Sequence, residues 1–476
     1  MKIKVLIVLS GLLIAGLILA ACSPAATPAP EVVIQTVEVP VEVTKEVQVV
    51  QTVEVPMEVQ VETEVLVTPA PALPDEPVEL TVRAFSFQLK PDRGRAGDQL
   101  RAWESEHPNV TLNVQSVDDF AGDILLNDIA AGTAPDLVFV EAGAVQPLLI
   151  SGDLFNLSSW YDLPALEADY IPAYWNNFMA YEGNLYGVYQ DTEARVTYYR
   201  PDFLEEAGLT PPANGWTYAD LREYAKQLTT PDRAGFCIGK EGYIELSMLV
   251  GNGFAFGEDF TYNNDAVRDY YQFLSDLVAD GSTPAEQAGL TRDQCAQLFA
   301  AGKVAMIFLH SNGITSYTVG SPALLTADQI GVVSLPVMKA GDDFGTFGGG
   351  FMWVVPAKEY TDTQLAYIHD LLNYMTSKNS QVSYALYRGF LLARQSYMDE
   401  IVRLVNEDPG VQASLVGKFY PQWIDIAQNN ITGIPRDPNT NVYRNGLVAG
   451  VEVIQAGLSV DEAIQAAEDY FAANQQ

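Results

Sequence analysis

Residues 129–143 read IAAGTAPDLVFVEAG. The apolar Ile129-Ala130-Ala131 ends a helical run, Gly132 supplies the left-handed residue that closes it, and Pro135 opens the next strand. The stretch predicts a helix over Phe120–Ala131 and a strand over Asp136–Val140. Towards the N-terminus, Val78–Phe85 reads as a strand, Gly97–His107 as a helix stopped by Pro108, and Val110–Val117 as a second strand. Strand, helix and strand at this spacing make parallel βαβ units, so the fold class is α/β. In open sheets of this kind ligands bind beyond the carboxyl ends of the strands. The loops after Ala84, Val117 and Val140 are therefore the first places to look for a site.

The chain before this body reads differently. Lys2 and Lys4 precede an apolar run from Val5 to Leu19, which has signal-peptide length and is too short to argue for a spanning helix. Leu19-Ala20-Ala21-Cys22 matches the bacterial lipobox, in which the Cys22 thiol receives a diacylglycerol and becomes the new N-terminus. Two or more acyl chains anchor stably, at roughly 0.8 kcal/mol per buried CH2. Ser23–Glu76 is rich in Val, Glu, Thr and Pro, with QTVEVP at 35–40 and again at 51–56. Pro40 and Pro56 break its strand-like alternation, so it reads as an extended linker, with a β-rich stalk as the rival. The expected division is 1–21 signal peptide, 22–76 lipidated cysteine and linker, and a body from Pro77 onwards. The body exceeds what one core usually holds, which predicts two lobes.

The formal charge of −35 repels nucleic acid and anionic headgroups. Cys237 and Cys295 remain after Cys22; export permits a disulfide, and two free thiols fit the spacing equally well. Three histidines with no HExxH or CxxC give no metal site, and no cofactor is expected. Gly348-Gly349-Gly350 lacks the Gly-Lys-Ser/Thr ending of a phosphate loop.

Several pieces in order resemble the extracellular solute-binding proteins of ABC transporters, the maltose-binding-like family 1 group. They are LTVRAF, WESEHPNVTLNV, IAAGTAPDLVFVEAG, LLISGDLFNLSSW, NLYGVY, ARVTYYRPDFLEEAGLTPP, WTYADLREYAKQLT, LFAAGKVAMIFLHSNG, VVSLPV, FGGGFMWVVP, GFLLARQS and the tail GVEVIQAGLSVDEAIQAAEDYF. Where the family has Tyr-Asn-Lys, this chain has Tyr199-Arg200-Pro201. The resemblance covers the chain after the linker. It implies a two-lobed periplasmic-binding-protein fold, type II-like, with lobes joined by crossover hinge strands and a ligand cleft between them. Lobe one is expected over 77–191 with 347–394 and lobe two over 192–346 with 395–476.

The same resemblance implies cleft residues. Phe85 and Phe87, at the end of the first strand, offer aromatic faces to a sugar ring, unless both serve the core. Glu141 follows the third strand. Glu193 falls where maltose-binding-like members carry a sugar-binding carboxylate, with Asp191 two residues before it and Arg195 able to neutralise either. Glu241-Gly242-Tyr243 matches an acidic-then-aromatic cleft motif, and Tyr243 is expected to stack on the ligand. Asn312 stands where many members place a Trp, which weakens the case for a long maltodextrin. Gly349 is expected to bring backbone close to the ligand or to make only a tight crossover turn, and Tyr443 and Arg444 complete the set.

The implied function is an extracytoplasmic receptor of an ABC importer. It would be a monomer anchored to the cell membrane by lipid, binding a sugar or oligosaccharide and delivering it to permease subunits. Two readings compete: a receptor for a cationic ligand such as a polyamine or basic peptide, and a ligand-binding sensor lipoprotein without transport. A glycosidase using Glu193 and Glu241 as paired carboxylates is a third class, but no nucleophile elbow or zinc motif supports hydrolysis.

Overall fold

The structure is a computed structural model. It describes residues 73–90, 95–120, 122–250, 254, 260–318, 324–342, 344–428, 431–432 and 439–475. The leader, Cys22 and the QTVEVP repeats lie outside the described residues. All that follows concerns the unit Glu64–Gln476.

Nine strands carry the two main sheets: β1 (Val78–Ala84), β2 (Val110–Ser116), β3 (Leu137–Glu141), β4 (Gly187–Glu193), β5 (Arg195–Tyr199), β6 (Ala234–Cys237), β7 (Val304–His310), β8 (Gly331–Ser334) and β9 (Gly349–Val354). The first sheet has the order β2-β1-β3-β9-β4, and the second β8-β5-β7-β6. β1 runs parallel to β2 and β3, whereas β9 is antiparallel to both β3 and β4. Six helices matter for the site: α1 (Ala96–Glu106), α2 (Asp123–Ala131), α3 (Ala142–Ser151), α4 (Tyr243–Val250), α5 (Arg292–Ala300) and α6 (Thr440–Gln455).

The stretch that opened the sequence reading folds as its residues dictate. Gly132, at φ 70°, caps α2, and its N–H donates to the Asp128 and Ile129 carbonyls. β3 follows, buried at every position because β1 and β9 flank it and helices cover its faces. Val82, Phe139, Met352 and Trp353 fill the layer beside it at 3% exposure or less. Each such side chain contributes roughly 1.5–3 kcal/mol relative to exposure.

The expected boundaries shift in two informative places. β1 stops at Ala84, and the chain turns into a single helical turn over Ser86–Leu89. Asp118 causes the turn: its carboxylate accepts from Ser86 N at 2.8 Å and from Ser86 Oγ at 2.7 Å. Phe85 and Phe87 therefore do not share a strand face, contrary to the sequence reading. The helix predicted from Phe120 begins only at Asp123, after Gly122 at φ 81°.

One residue, Ala194, separates β4 of the first sheet from β5 of the second. Next to this crossing, Thr192 exchanges backbone hydrogen bonds with Leu391 at 2.8 and 2.9 Å, and Gly349 pairs in register with Glu193. Gly350 shows why this run is glycine: at φ 125°, a Cβ there would lie 2.4 Å from the Asp191 carbonyl oxygen. At the edge of the second sheet Cys237 and Cys295 form a disulfide between β6 and α5, with Cα atoms 5.7 Å apart. The alternative of two free thiols is thereby removed.

Candidate binding cleft at the lobe crossing

The first residue of β5, Arg195, is 1% exposed and organises the crossing. Its Nη1 donates to Glu193 Oε1 at 2.7 Å. Its Nη2 and Nε donate to the two oxygens of Glu241 at 2.7 and 3.2 Å. Arg292, at the start of α5, adds a donor to Glu241 Oε1 at 2.7 Å. Glu241 also accepts from Ile244 N at 2.9 Å, which satisfies the first turn of α4. Burial alone would raise the Glu241 pKa, but the Arg195 and Arg292 guanidinium groups outweigh it and hold the carboxyl at about 2. Glu193 and Glu241 are thus brought together, and each already has a cation. Gly349 lies against this pair: a Cβ there would sit 3.2 Å from Glu193 Oε1 and 3.4 Å from Arg195 Nη1.

A second group joins the end of β3 to α4 and α6. Glu141 ends β3 and caps α3 by accepting from Gly143 N at 3.2 Å. The same oxygen, Oε2, accepts from the Tyr243 hydroxyl at 2.5 Å. Arg444 of α6 stands 4.0 Å from that oxygen and 4.5 Å from the Tyr243 ring centroid, and Arg195 lies 5.1 Å from the same ring. Tyr243, expected to stack on a ligand, is instead 9% exposed, with two guanidinium groups against its ring. Gly242 permits this arrangement: at φ 93°, a Cβ there would come within 2.6 Å of Arg444 Cγ. Burial raises the Glu141 pKa, against the opposing pull of Arg444.

Aromatic surface on the first lobe comes from residues only partly anticipated. Phe85 is 1% exposed and serves the core. Phe87 lies parallel to Phe120, with centroids 6.2 Å apart and 2° between planes, and Phe351 meets Phe87 edge-on at 5.5 Å. Phe120 is 48% exposed, so the shelf opens to solvent. Phe351 pairs with Glu141 across the β3–β9 ladder, which places the shelf beside the Glu141 group.

The other expected residues scatter. Asp191 is fully buried and accepts from Phe351 N at 3.2 Å; burial and then Glu193 push its pKa well above the carboxylate range. Asn312 is 4% exposed in the turn after β7, and its Oδ1 has no partner among the described residues. Tyr443 stacks on Phe471 at 5.0 Å and meets Phe260 edge-on, in the helical layer. Successive helix positions point about 100° apart, so Arg444 can reach Tyr243 while its neighbour cannot. Sequence reasoning missed Arg292, Phe120, Phe351, His310 and Asn441. The Thr291–Gln294 capping box marked the start of α5 and could have drawn attention to Arg292. The others carry no local signal. His310, beside Arg292 and Arg195, is held well below the usual imidazole range, first by burial and then by those cations.

Among the described residues no group of three or more His, Cys, Asp or Glu could hold a metal ion, and no helix is long and apolar enough to cross a membrane.

Residues 94–382 match the family model described as bacterial extracellular solute-binding protein. An uncharacterised lipoprotein from the oleD 5′ region of Streptomyces antibioticus is 32% identical over 170 residues, 35% of this chain and 36% of that protein. The chain thus spans only about a third of that relative's length. The lactose-binding protein of Rhizobium radiobacter is 24% identical over 392 residues, 77% of this chain and 86% of that protein. Among solved structures, the GacH receptor of Streptomyces glaucescens superposes with a TM-score of 0.67 at 22% identity, covering 83% of this chain and 97% of that one. That likeness is one of fold.

Proposed function

This chain belongs to the bacterial extracellular solute-binding protein family, and from that premise we propose that it captures a neutral, hydroxyl-rich solute, a sugar or oligosaccharide, between its lobes and delivers it to the permease of an ABC importer. Its place of action is outside the cytoplasm, as for the family. Relatives named for lactose and mannitol binding support the carbohydrate class.

The observation that carries the reading is the state of the carboxylates beside the aromatic shelf. A sugar needs an apolar face for its C–H groups and polar groups for its hydroxyls. The shelf of Phe87, Phe120 and Phe351 supplies the first, and the Glu141 group beside it supplies the second. A cationic ligand needs carboxylates free of cations. Glu193 and Glu241 are already paired with Arg195 and Arg292, and Arg444 stands beside Glu141. An arriving ammonium would meet guanidinium groups, which supports a neutral solute over a polyamine. Relatives named as binding proteins support capture without chemistry.

In this reading 77–191 with 347–394 form the first lobe and 192–346 with 395–476 the second. Hinge motion at the crossing closes them over the ligand. Cys22 carries the lipid that tethers the receptor to the cell membrane. Cys22→Ser should move the protein from the membrane fraction to the soluble one, and retention at the membrane would sink the anchor.

The test of function is calorimetric titration and thermal shift of the purified body with maltose, lactose, D-mannitol and spermidine. Ligand at about a hundred times its Kd stabilises by roughly 2.7 kcal/mol. At least one of the sugars or the polyol should raise the melting temperature, and spermidine should not. Stabilisation by spermidine alone would reverse the assignment.

A further inference from the structure

The ion pair between Arg292 and Glu241 is one side of a ring that a covalent bond closes. β6 ends at Cys237, and Glu241 follows four residues later. α5 begins with Arg292, and Cys295 stands three residues on, about one helical turn away on the same face. The Cys237–Cys295 disulfide joins the two segments at one end. At the other end Arg292 Nη1 donates to Glu241 Oε1 at 2.7 Å. Between these ends the backbones touch. Lys240 N donates to the Leu290 carbonyl and Arg292 N to the Lys240 carbonyl, each at 3.2 Å. A Cβ at Gly239 would sit 2.7 Å from Arg292 Cα and 3.2 Å from Cys295 Sγ, so this residue lies flush against the first turn of α5. The Thr291–Gln294 capping box makes that turn rigid, which ties the Arg292 backbone to the position of Cys295.

Arg292 sits where its own charge does not favour it. Glu241 Oε1 takes both Arg292 Nη1 and Arg195 Nη2 at 2.7 Å, so two guanidinium groups converge on one oxygen. Like charges this close repel. Arg195 is buried and is held by Glu193 as well. Arg292 has an easier alternative, because its Nε also donates to Asp293 Oδ1 at 3.0 Å, and Asp293 is largely exposed. A released α5 would let Arg292 turn to that solvated carboxylate. The disulfide opposes this: both cysteines are buried, and their bond presses the first turn of α5 onto residues 237–240.

We propose that the Cys237–Cys295 disulfide is a positioning device for the binding crossing, keeping Arg292 on Glu241 so that two carboxylates are served by two cations. Without the bond, Glu193 and Glu241 share Arg195 alone, and one negative charge is left over at the crossing. A neutral ligand then competes with water and counter-ions for an unbalanced carboxylate and binds more weakly. This consequence for affinity rests on the carbohydrate reading, whereas the link from disulfide to Arg292 does not. The disulfide and Arg292 act as one unit, and neither needs to touch the ligand.

The test is a double-mutant cycle on the full chain purified in detergent, with unfolding followed in urea. Arg292→Leu is made in wild type and in Cys237→Ala/Cys295→Ala. It should raise the unfolding constant about tenfold with the disulfide present and less than about twofold without it. Arg222→Leu, which breaks the pairs with Asp276 and Asp280, should have the same effect in both backgrounds. A bond that merely stabilised the fold would leave both arginines additive, and equal effects of Arg292→Leu in the two backgrounds would overturn the proposal. Cys237→Val/Cys295→Ala, which restores apolar volume, carries the same cycle if the alanine pair does not fold. Failure of both pairs to fold would mean that the bond serves the whole fold, and would also overturn it. Calorimetry with maltose, lactose and D-mannitol reads the consequence. A probe that binds wild type should bind the disulfide-free protein about tenfold more weakly, with little further loss on adding Arg292→Leu. Undiminished affinity would overturn the positioning role. Binding of no probe to wild type would count against the carbohydrate reading alone, because the unfolding cycle needs no ligand to uphold or overturn the role of the disulfide.

Discussion

At the scale of single residues, burial decides what each charged side chain can do. Glu241 and Glu245 lie four positions apart at the start of α4, yet their environments drive them in opposite directions. Arg195 and Arg292 hold Glu241 at about 2, whereas Glu245, 1% exposed, is pushed up to about 7 by burial. Among the described residues Glu245 has backbone partners, accepting from Gly242 N and Glu241 N, and the neighbouring Glu241 charge raises it further. The folded protein therefore holds a proton on Glu245 that the unfolded chain releases near pH 4.5. Stability from this group is complete below the unfolded value and declines as pH rises through about 7. Glu245→Gln keeps a carbonyl for Gly242 N, gives up the longer contact with Glu241 N at 3.4 Å, and cannot ionise. It should be more stable than wild type by on the order of 2 kcal/mol well above neutral pH, and nearly equal to it near pH 4.5. Urea denaturation at the two conditions reads this directly, and a variant less stable at both would show that the ionised form is needed.

At the scale of elements, the periodicity that reads well in the sequence is the periodicity that packing preserves. IAAGTAPDLVFVEAG becomes the end of α2, its Gly132 cap and β3, because each step is a local backbone preference. The strand that should have run to Phe85 ends one residue early because Asp118, distant in sequence, supplies a better partner for Ser86. Glu193 and Glu241 could be picked out as acidic residues near the crossing. Their shared use of Arg195, and the arrival of Arg292 from α5, could not, since those contacts join three separate elements and the loop before α4. The disulfide is of the same kind: Cys237 and Cys295, 58 residues apart, meet because β6 and α5 pack together. By loop-closure arguments such a bridge contributes about 2–4 kcal/mol.

At the scale of the whole molecule, the bridge between lobes is the feature that matters. The Tyr243 hydroxyl donates to Glu141, a direct link from α4 to the end of β3. Closure needs contacts made by both lobes at once, and this is one the protein makes with its own side chains. Tyr243→Phe keeps the ring between Arg195 and Arg444 and removes only that hydrogen bond. Small-angle scattering of the ligand-free variant should show a larger radius of gyration than wild type. An unchanged profile would mean that other contacts set the interlobe angle.

The sequence alone determined the α/β class, the likeness to solute-binding proteins and the positions of most chain reversals, because helix caps, proline breaks and strand patterns act over a few residues. It also marked out acidic and aromatic residues near the crossing. Only the tertiary structure decided which carboxylates are neutralised, that the Tyr243 hydroxyl donates to Glu141, and that Tyr443 packs in the helical layer while Arg444 reaches the Tyr243 ring. Those outcomes depend on burial and on partners far away along the chain, and local pattern carries no record of either.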